Sequence, residues 1–197
     1  ERVVSFLREK TFRSFPATPP DLAMRLEFRA SGKTVYSFLS EEGWRLALET
    51  AWDETDAAAR PLLLVLRSPG EKRWEAEGFA GGLAGGWRRA FFAARGIGET
   101  GWAPDLQWHL RRAAAWTGRT IASMRVYDVL RAIEAARSVS GVGDRIAIAA
   151  RGEMAAIALY AALLDGRLHA VILQDPPATQ NAPSAEDGKG EAIEMLN

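Results

Sequence analysis

The chain has 197 residues, 48% of them hydrophobic, with Lys plus Arg equal to Asp plus Glu at 25 each. That length and apolar content predict one folded domain with a sizeable core and exclude a disordered chain. The balanced charge gives no electrostatic basis for nucleic acid or an anionic membrane as partner, and the absence of cysteine excludes disulfides, thiolate metal sites and cysteine nucleophiles. No apolar run approaches the ~20 residues that span a bilayer. The sequence starts at Glu1 with no basic-then-apolar leader, which reads as a mature or trimmed product. The compartment stays open, export of a full-length form included.

Apolar residues at Val3, Val4, Phe6, Leu7, Phe12 and Phe15 predict a loose N-terminal helix, ended by Pro16, Pro19 and Pro20. Met24 to Arg29 alternates apolar and polar, a strand signature. Lys33–Leu39 and Trp44–Trp52 read as two more strands, broken at Ser31-Gly32 and at residues 40–43. The three predict an antiparallel run at one edge of a sheet. Pro61–Leu66 is continuously apolar, as suits a strand covered on both faces, and Arg67-Ser-Pro-Gly70 is a loop signal. A glycine-rich segment over 78–86 follows, then a buried strand over 87–94, closed by Arg95-Gly-Ile-Gly-Glu-Thr100.

Residues 105–117 have helical character. Ile121–Arg137 is the strongest helix, with Val126, Val129, Leu130 and Ile133 on one stripe. Gly141 and Gly143 end it. Arg145–Ala150 reads as a strand, Met154–Leu164 as an alanine-rich helix and His169–Gln174 as another strand, stopped by Asp175-Pro-Pro177. Ala192–Leu196 reads as the start of a last helix. Strands alternating with helices at this spacing predict a parallel sheet, so the fold class is α/β, an open and mostly parallel sheet with an antiparallel N-terminal edge.

The run from Asp144 to Tyr160, a short strand, a turn of small residues and a helix, resembles the nucleophile turn of α/β-hydrolases. With Arg95-Gly-Ile-Gly and the segment Ala158 to Val171, the chain over about residues 24–180 is most similar to the acetyl xylan esterase and glucuronoyl-esterase-like group, related to prolyl-oligopeptidase-type hydrolases. The stretch 144–173 carries the resemblance most specifically. It implies a three-layer α/β-hydrolase-like sandwich over residues 24–197, incomplete at its C-terminal end, behind an N-terminal helix and linker over 1–23. It also implies acyl-ester chemistry by a serine, a histidine and an acid.

Position by position, the chemistry departs from that group. The nucleophile position falls on Gly152, between Arg151 and Glu153; glycine has no group to attack a carbonyl. The acid expected before the Arg-Gly-x-Gly turn is Ala93. The oxyanion loop would be Arg67-Ser-Pro-Gly-Glu71, without the His-Gly of many relatives. Only His169 follows Gly152, at the wrong end of its strand for catalysis, while His109 reads as a packing or capping residue of a surface helix. The resemblance therefore implies an esterase-like domain without its own catalysis, acting beside another hydrolase domain or a second copy of itself, or facing a carbohydrate. The alternatives are an esterase whose remaining parts come from outside this chain, with Ser68 as a substitute serine, and a pure interaction module.

Gly96, Gly98 and Gly101 have dinucleotide-loop spacing, but Pro104 follows and no strand with a terminal acid does, so a structural turn is favoured. Trp102, Trp108 and Trp116 could stack on sugars; packing is favoured for them. Trp102, Ser68 and Asp175 remain candidate pocket residues, Asp175 because it ends a strand at the ligand-binding edge of such sheets. Glu153 is expected to face solvent or pair with Arg151. No metal site or cofactor is expected.

Overall fold

The computed structural model describes residues 1–30, 32–52, 56, 58–83, 85–179 and 195. Three antiparallel strands, β1 (Arg25–Ala30), β2 (Lys33–Glu41) and β3 (Trp44–Thr50), lead into β4 (Arg60–Leu66), β5 (Arg88–Phe92), β6 (Val142–Arg151) and β7 (Ala170–Gln174). Among the described residues they form one seven-stranded sheet in the order β1-β2-β3-β5-β4-β6-β7. β4, β5, β6 and β7 run parallel, and β2 points the same way through two antiparallel steps. The antiparallel edge and the parallel remainder are those the alternating and the continuous apolar runs predict.

β4 is the central strand. Leu62 to Leu66 are all fully buried, because β5 and β6 flank the strand and helices cover both faces. Each such side chain contributes roughly 1.5–3 kcal/mol relative to exposure. Even-numbered residues Leu62, Leu64 and Leu66 join Phe38, Phe92, Ile146 and Ile148 in the larger core, while Leu63 and Val65 join Phe91 and Ala149 on the opposite face.

The larger core is closed by α4 (Ile121–Ser138) and α5 (Glu153–Asp165). α4 starts at a reciprocal cap: the Ser123 N–H donates to Thr120 Oγ1 and the Thr120 N–H to Ser123 Oγ, both at 2.9 Å. It is buried almost all round, not along one stripe, since the sheet, α5 and α3 all pack against it. α5 ends on Gly166 in the left-handed conformation. The N-terminal helix α1 (Arg2–Phe6) runs into a π-helical turn over Leu7–Thr11, and Phe12 packs edge-on against Tyr160 of α5.

The opposite face carries α2 (Arg73–Gly81), where the sequence signals only a glycine-rich segment. Gly78 and Gly81 dilute the helical signal, yet Ala76, Phe79 and Ala80 recur at three- and four-residue steps and pack on Leu63 and Val65. The Glu75 carboxylate accepts the Lys72 N–H at 2.6 Å, holding the helix start. α3 (Pro104–Trp116) opens with proline in its first turn and lies mostly exposed beside α4. Among the described residues no helix is long and apolar enough to cross a membrane. The helix expected over Ala192–Leu196 lies outside the described residues except for Met195, which is buried in the larger core.

Candidate active site

The parallel strands β4, β5, β6 and β7 deliver their following loops to one edge of the sheet, where ligands bind in open α/β folds. There β6 turns directly into α5 through Gly152, at φ 56° and ψ −137°. A side chain rarely adopts this backbone conformation, and the turn is fastened from both sides. The Gly152 N–H donates to the Gln174 carbonyl at 3.0 Å, and the Gly152 carbonyl accepts the Ala155 N–H at 3.0 Å. A Cβ built on Gly152 would meet nothing within 4 Å. The turn thus combines a positive-φ backbone with open space above it and carries no side chain.

Ser68, in the loop after β4, lies beside this turn: its hydroxyl donates to the Arg151 carbonyl at 3.1 Å. The Ser68 N–H donates to Glu71 Oε2 at 2.6 Å, and the Arg151 guanidinium binds the other oxygen of the same carboxylate. Two donors at the mouth of the turn are therefore bound by a carboxylate of the chain itself. Arg151 pairs with Glu71, not with Glu153, because the loop after β4 lies alongside β6 while Glu153 starts α5 on the far side of the turn. The Arg151 guanidinium also stacks 5.3 Å from the Phe79 ring centroid. Asp175 follows Gln174 at the same edge, exposed and at φ 48°.

Neither histidine reaches this cluster. His169 precedes β7, donates its N–H to the Ile146 carbonyl at 2.8 Å and lies 5.9 Å from Trp87. Gln174 lies five strand positions beyond it, about 16 Å at 3.3 Å per residue. His109 lies against Trp108 on α3, 5.0 Å between centroids. Of the three clustered tryptophans, only Trp102 packs inward, onto Gly96, with its indole N–H donating to Gln107. Trp108 and Trp116 are exposed, Trp116 at 89%, because α3 lies beside the body of the fold and only Gln107 and Ala114 are buried. Among the described residues no three His, Asp or Glu side chains converge to hold a metal.

The Arg95-Gly-Ile-Gly turn is organised by a buried polar network that sequence reasoning does not isolate. Asp128, fully buried on α4, accepts the Arg95 N–H at 3.0 Å, Nε–H at 2.8 Å and Nη2–H at 2.6 Å, and the Ser40 hydroxyl at 2.6 Å. Arg95 extends to Glu41 at 3.4 Å, which Arg119 also clasps, and its guanidinium lies 5.2 Å from the Trp44 ring. Arg125 supports the turn from below, Nε–H to the Arg95 carbonyl at 3.1 Å. The available signal is the spacing Arg125, Asp128, Arg131, Glu134, Arg137, five charges at three-residue steps, of which the first three are buried.

Burial alone would raise the Glu41 carboxyl, but the hydrogen bond from Arg119 and the charges of Arg95 and Arg119 outweigh it and hold it below its ordinary 4.5. A depressed carboxyl contributes stability at pH above its unfolded value, and that contribution is lost as pH falls through the folded value. Thermal unfolding should therefore lose stability below pH 4.5, and Glu41→Gln should flatten that limb of the profile while lowering stability at pH 7. An unchanged acid limb in Glu41→Gln would remove Glu41 from the account.

A mostly parallel sheet with a positive-φ turn between a buried strand and a helix at its carboxyl edge defines the α/β-hydrolase fold, and the chain has that fold. No protein-family model matches the sequence, and neither does any curated protein. Solved structures do match. A Bacteroides fragilis protein assigned as an acetyl xylan esterase superposes with TM-score 0.73 at 12% identity, over 99% of this chain and 59% of that one. Acetyl xylan esterase 1 from a Thermoanaerobacterium species gives TM-score 0.59 at 17% identity, over 86% and 56%. A glucuronoyl esterase from Solibacter usitatus gives 0.59 at 12%, over 86% and 56%. The chain thus spans a little over half the length of these esterases, and at such identities the likeness is one of fold.

Proposed function

We propose that this chain is an esterase-like α/β-hydrolase domain that does not itself cleave esters, and that it acts beside another hydrolase domain or a second copy, or faces a carbohydrate. The observation that carries this reading is the turn at Gly152. It has space for a nucleophile and offers none, while the Ser68 N–H and one Arg151 Nη beside it are taken up by Glu71. Oxyanion stabilisation requires free donors aimed at developing charge, and nucleophilic attack requires a base within hydrogen-bond reach. Neither His109 nor His169 contacts Ser68 or Gly152.

A second reading is favoured by the Ser68 hydroxyl, which lies at the turn: an acyl esterase using Ser68, completed by groups from outside this chain. Hydrolysis of p-nitrophenyl acetate at high protein concentration separates the two. The first reading expects the rate of buffer alone. Turnover abolished by Ser68→Ala overturns it and supports the second.

Gly152→Ser tests the turn itself. The new Cβ has room, so the expected cost is the backbone strain of about 1–3 kcal/mol, measured by chemical denaturation, with no ester turnover gained for want of a base. A loss well above ~3 kcal/mol would show that the backbone there is not a nucleophile turn.

A further inference from the structure

A concave space of about 350 Å³ opens on the α2 side of the sheet, beside that helix. This is within the size range of small-molecule sites. Strand alternation builds its floor: Val35 and Ser37 from β2, Ala47 from β3, Phe91 from β5 and Ala93 just after it all project to one side. Ile97 and Thr100 wall it from the loop after β5. None of Gly152, Glu153, Ser68 and Asp175 lines it; Arg67, which does, opens the loop that carries Ser68 and Glu71 to the turn.

Its charges are unbalanced. Lys33, Arg45, Arg67 and Arg73 face Glu49 and Glu99, an excess of two positive charges. Glu49 is shared by Lys33 at 2.8 Å and Arg73 at 2.6 Å, which accounts for that group. Arg67 donates Nη2–H to the Glu71 carbonyl at 3.0 Å, and its carboxylate partner is Glu99 at 3.8 Å, a group 81% exposed to water. Arg45 places Nη1 on the Ala23 carbonyl at 2.9 Å and the Ser37 hydroxyl at 3.0 Å. Among the described residues no carboxylate lies within ion-pair distance of it; Glu27 reaches only the far side of the same Ser37 hydroxyl. Two guanidinium groups without a close carboxylate partner among the described residues, above an apolar floor, are matched by a planar anion with a hydrocarbon body.

We propose that this cavity binds a small organic carboxylate, its charge drawn to Arg67 and Arg45 and its apolar body lying on Phe91 and Ala47. Guanidinium pairs most strongly with a planar carboxylate, and the Phe91 ring supplies area that a purely inorganic anion cannot use. Glu49 and Glu99 at the rim disfavour a multiply charged anion.

Benzoate is the probe, titrated into the whole chain at fixed ionic strength and followed by amide chemical shifts. Benzamide has the same shape without the charge, and inorganic phosphate has charge without the apolar body. The expected result is saturable shifts centred on Val35, Ala47 and Phe91 with benzoate. Benzamide and phosphate should bind at least about tenfold more weakly, and Arg67→Met and Arg45→Met should each weaken benzoate about fivefold to tenfold. Benzoate giving no saturable shift, benzamide or phosphate matching it, or Arg45→Met leaving its affinity unchanged would each overturn the proposal. Should Arg67→Met fail to fold, Arg45→Met and the benzamide comparison decide the matter.

Discussion

Replacing Asp128 by alanine is expected to lower the unfolding free energy by about 3–5 kcal/mol, which is the usual cost of stranding a buried charge. Asp128 is the sole acceptor for three donors of Arg95 that the structure places on a carboxylate, and it also receives the Ser40 hydroxyl. The side chains of both partners are nearly inaccessible, so water cannot substitute without opening the junction between α4, β2 and the loop after β5. Most of the loss is the penalty of leaving the buried Arg95 with only Glu41 at 3.4 Å, not the net worth of the pair. The double variant Asp128→Ala with Arg95→Met should therefore be more stable than Asp128→Ala alone. Chemical denaturation of the four proteins of this cycle measures it. A cost below ~1 kcal/mol for Asp128→Ala would mean that solvent already reaches the pair.

Gly96→Ala is expected to cost about 3–5 kcal/mol. Gly96 has φ 75°, where a side chain is strained, and a Cβ there would lie 2.1–2.4 Å from three atoms of the Trp102 ring. The ring has little room to yield, since its indole N–H is bound to Gln107 and Arg125 lies 6.0 Å from its centroid. Removing the obstacle separates the two terms. In a Trp102→Ala background the same Gly96→Ala change should cost only the backbone part, about 1–2 kcal/mol. An equal cost in both backgrounds would assign the whole effect to the backbone and none to the ring.

The sheet was legible from sequence because its strands carry two distinct patterns, alternation in β1 to β3 and a solid apolar run in β4. β6, α5 and β7 were legible for the same reason, being short apolar segments separated by Gly152 and Gly166. α2 was not, because Gly78 and Gly81 mask a helix held mainly by Ala76, Phe79 and Ala80 against the sheet. At the candidate site, the turn at Gly152 follows from the strand-to-helix change. The bridge from Glu71 to its donors does not, since Ser68 and Arg151 lie 83 positions apart and meet only across two parallel strands. The exposure of Trp108 and Trp116 was hidden for a related reason. Nothing local in α3 says that only Gln107 and Ala114 find something to pack against. The Arg95–Asp128 junction likewise needs the loop after β5 to meet the middle of α4, a contact of fold and not of spacing.

Labelling of the whole chain with a serine-directed fluorophosphonate, read by intact mass, tests most directly whether this fold lacks an activated nucleophile. The account predicts an unmodified mass under conditions that fully label a working serine esterase. A single stoichiometric adduct, mapped to Ser68 or to any other serine and lost on denaturing the chain first, would contradict it.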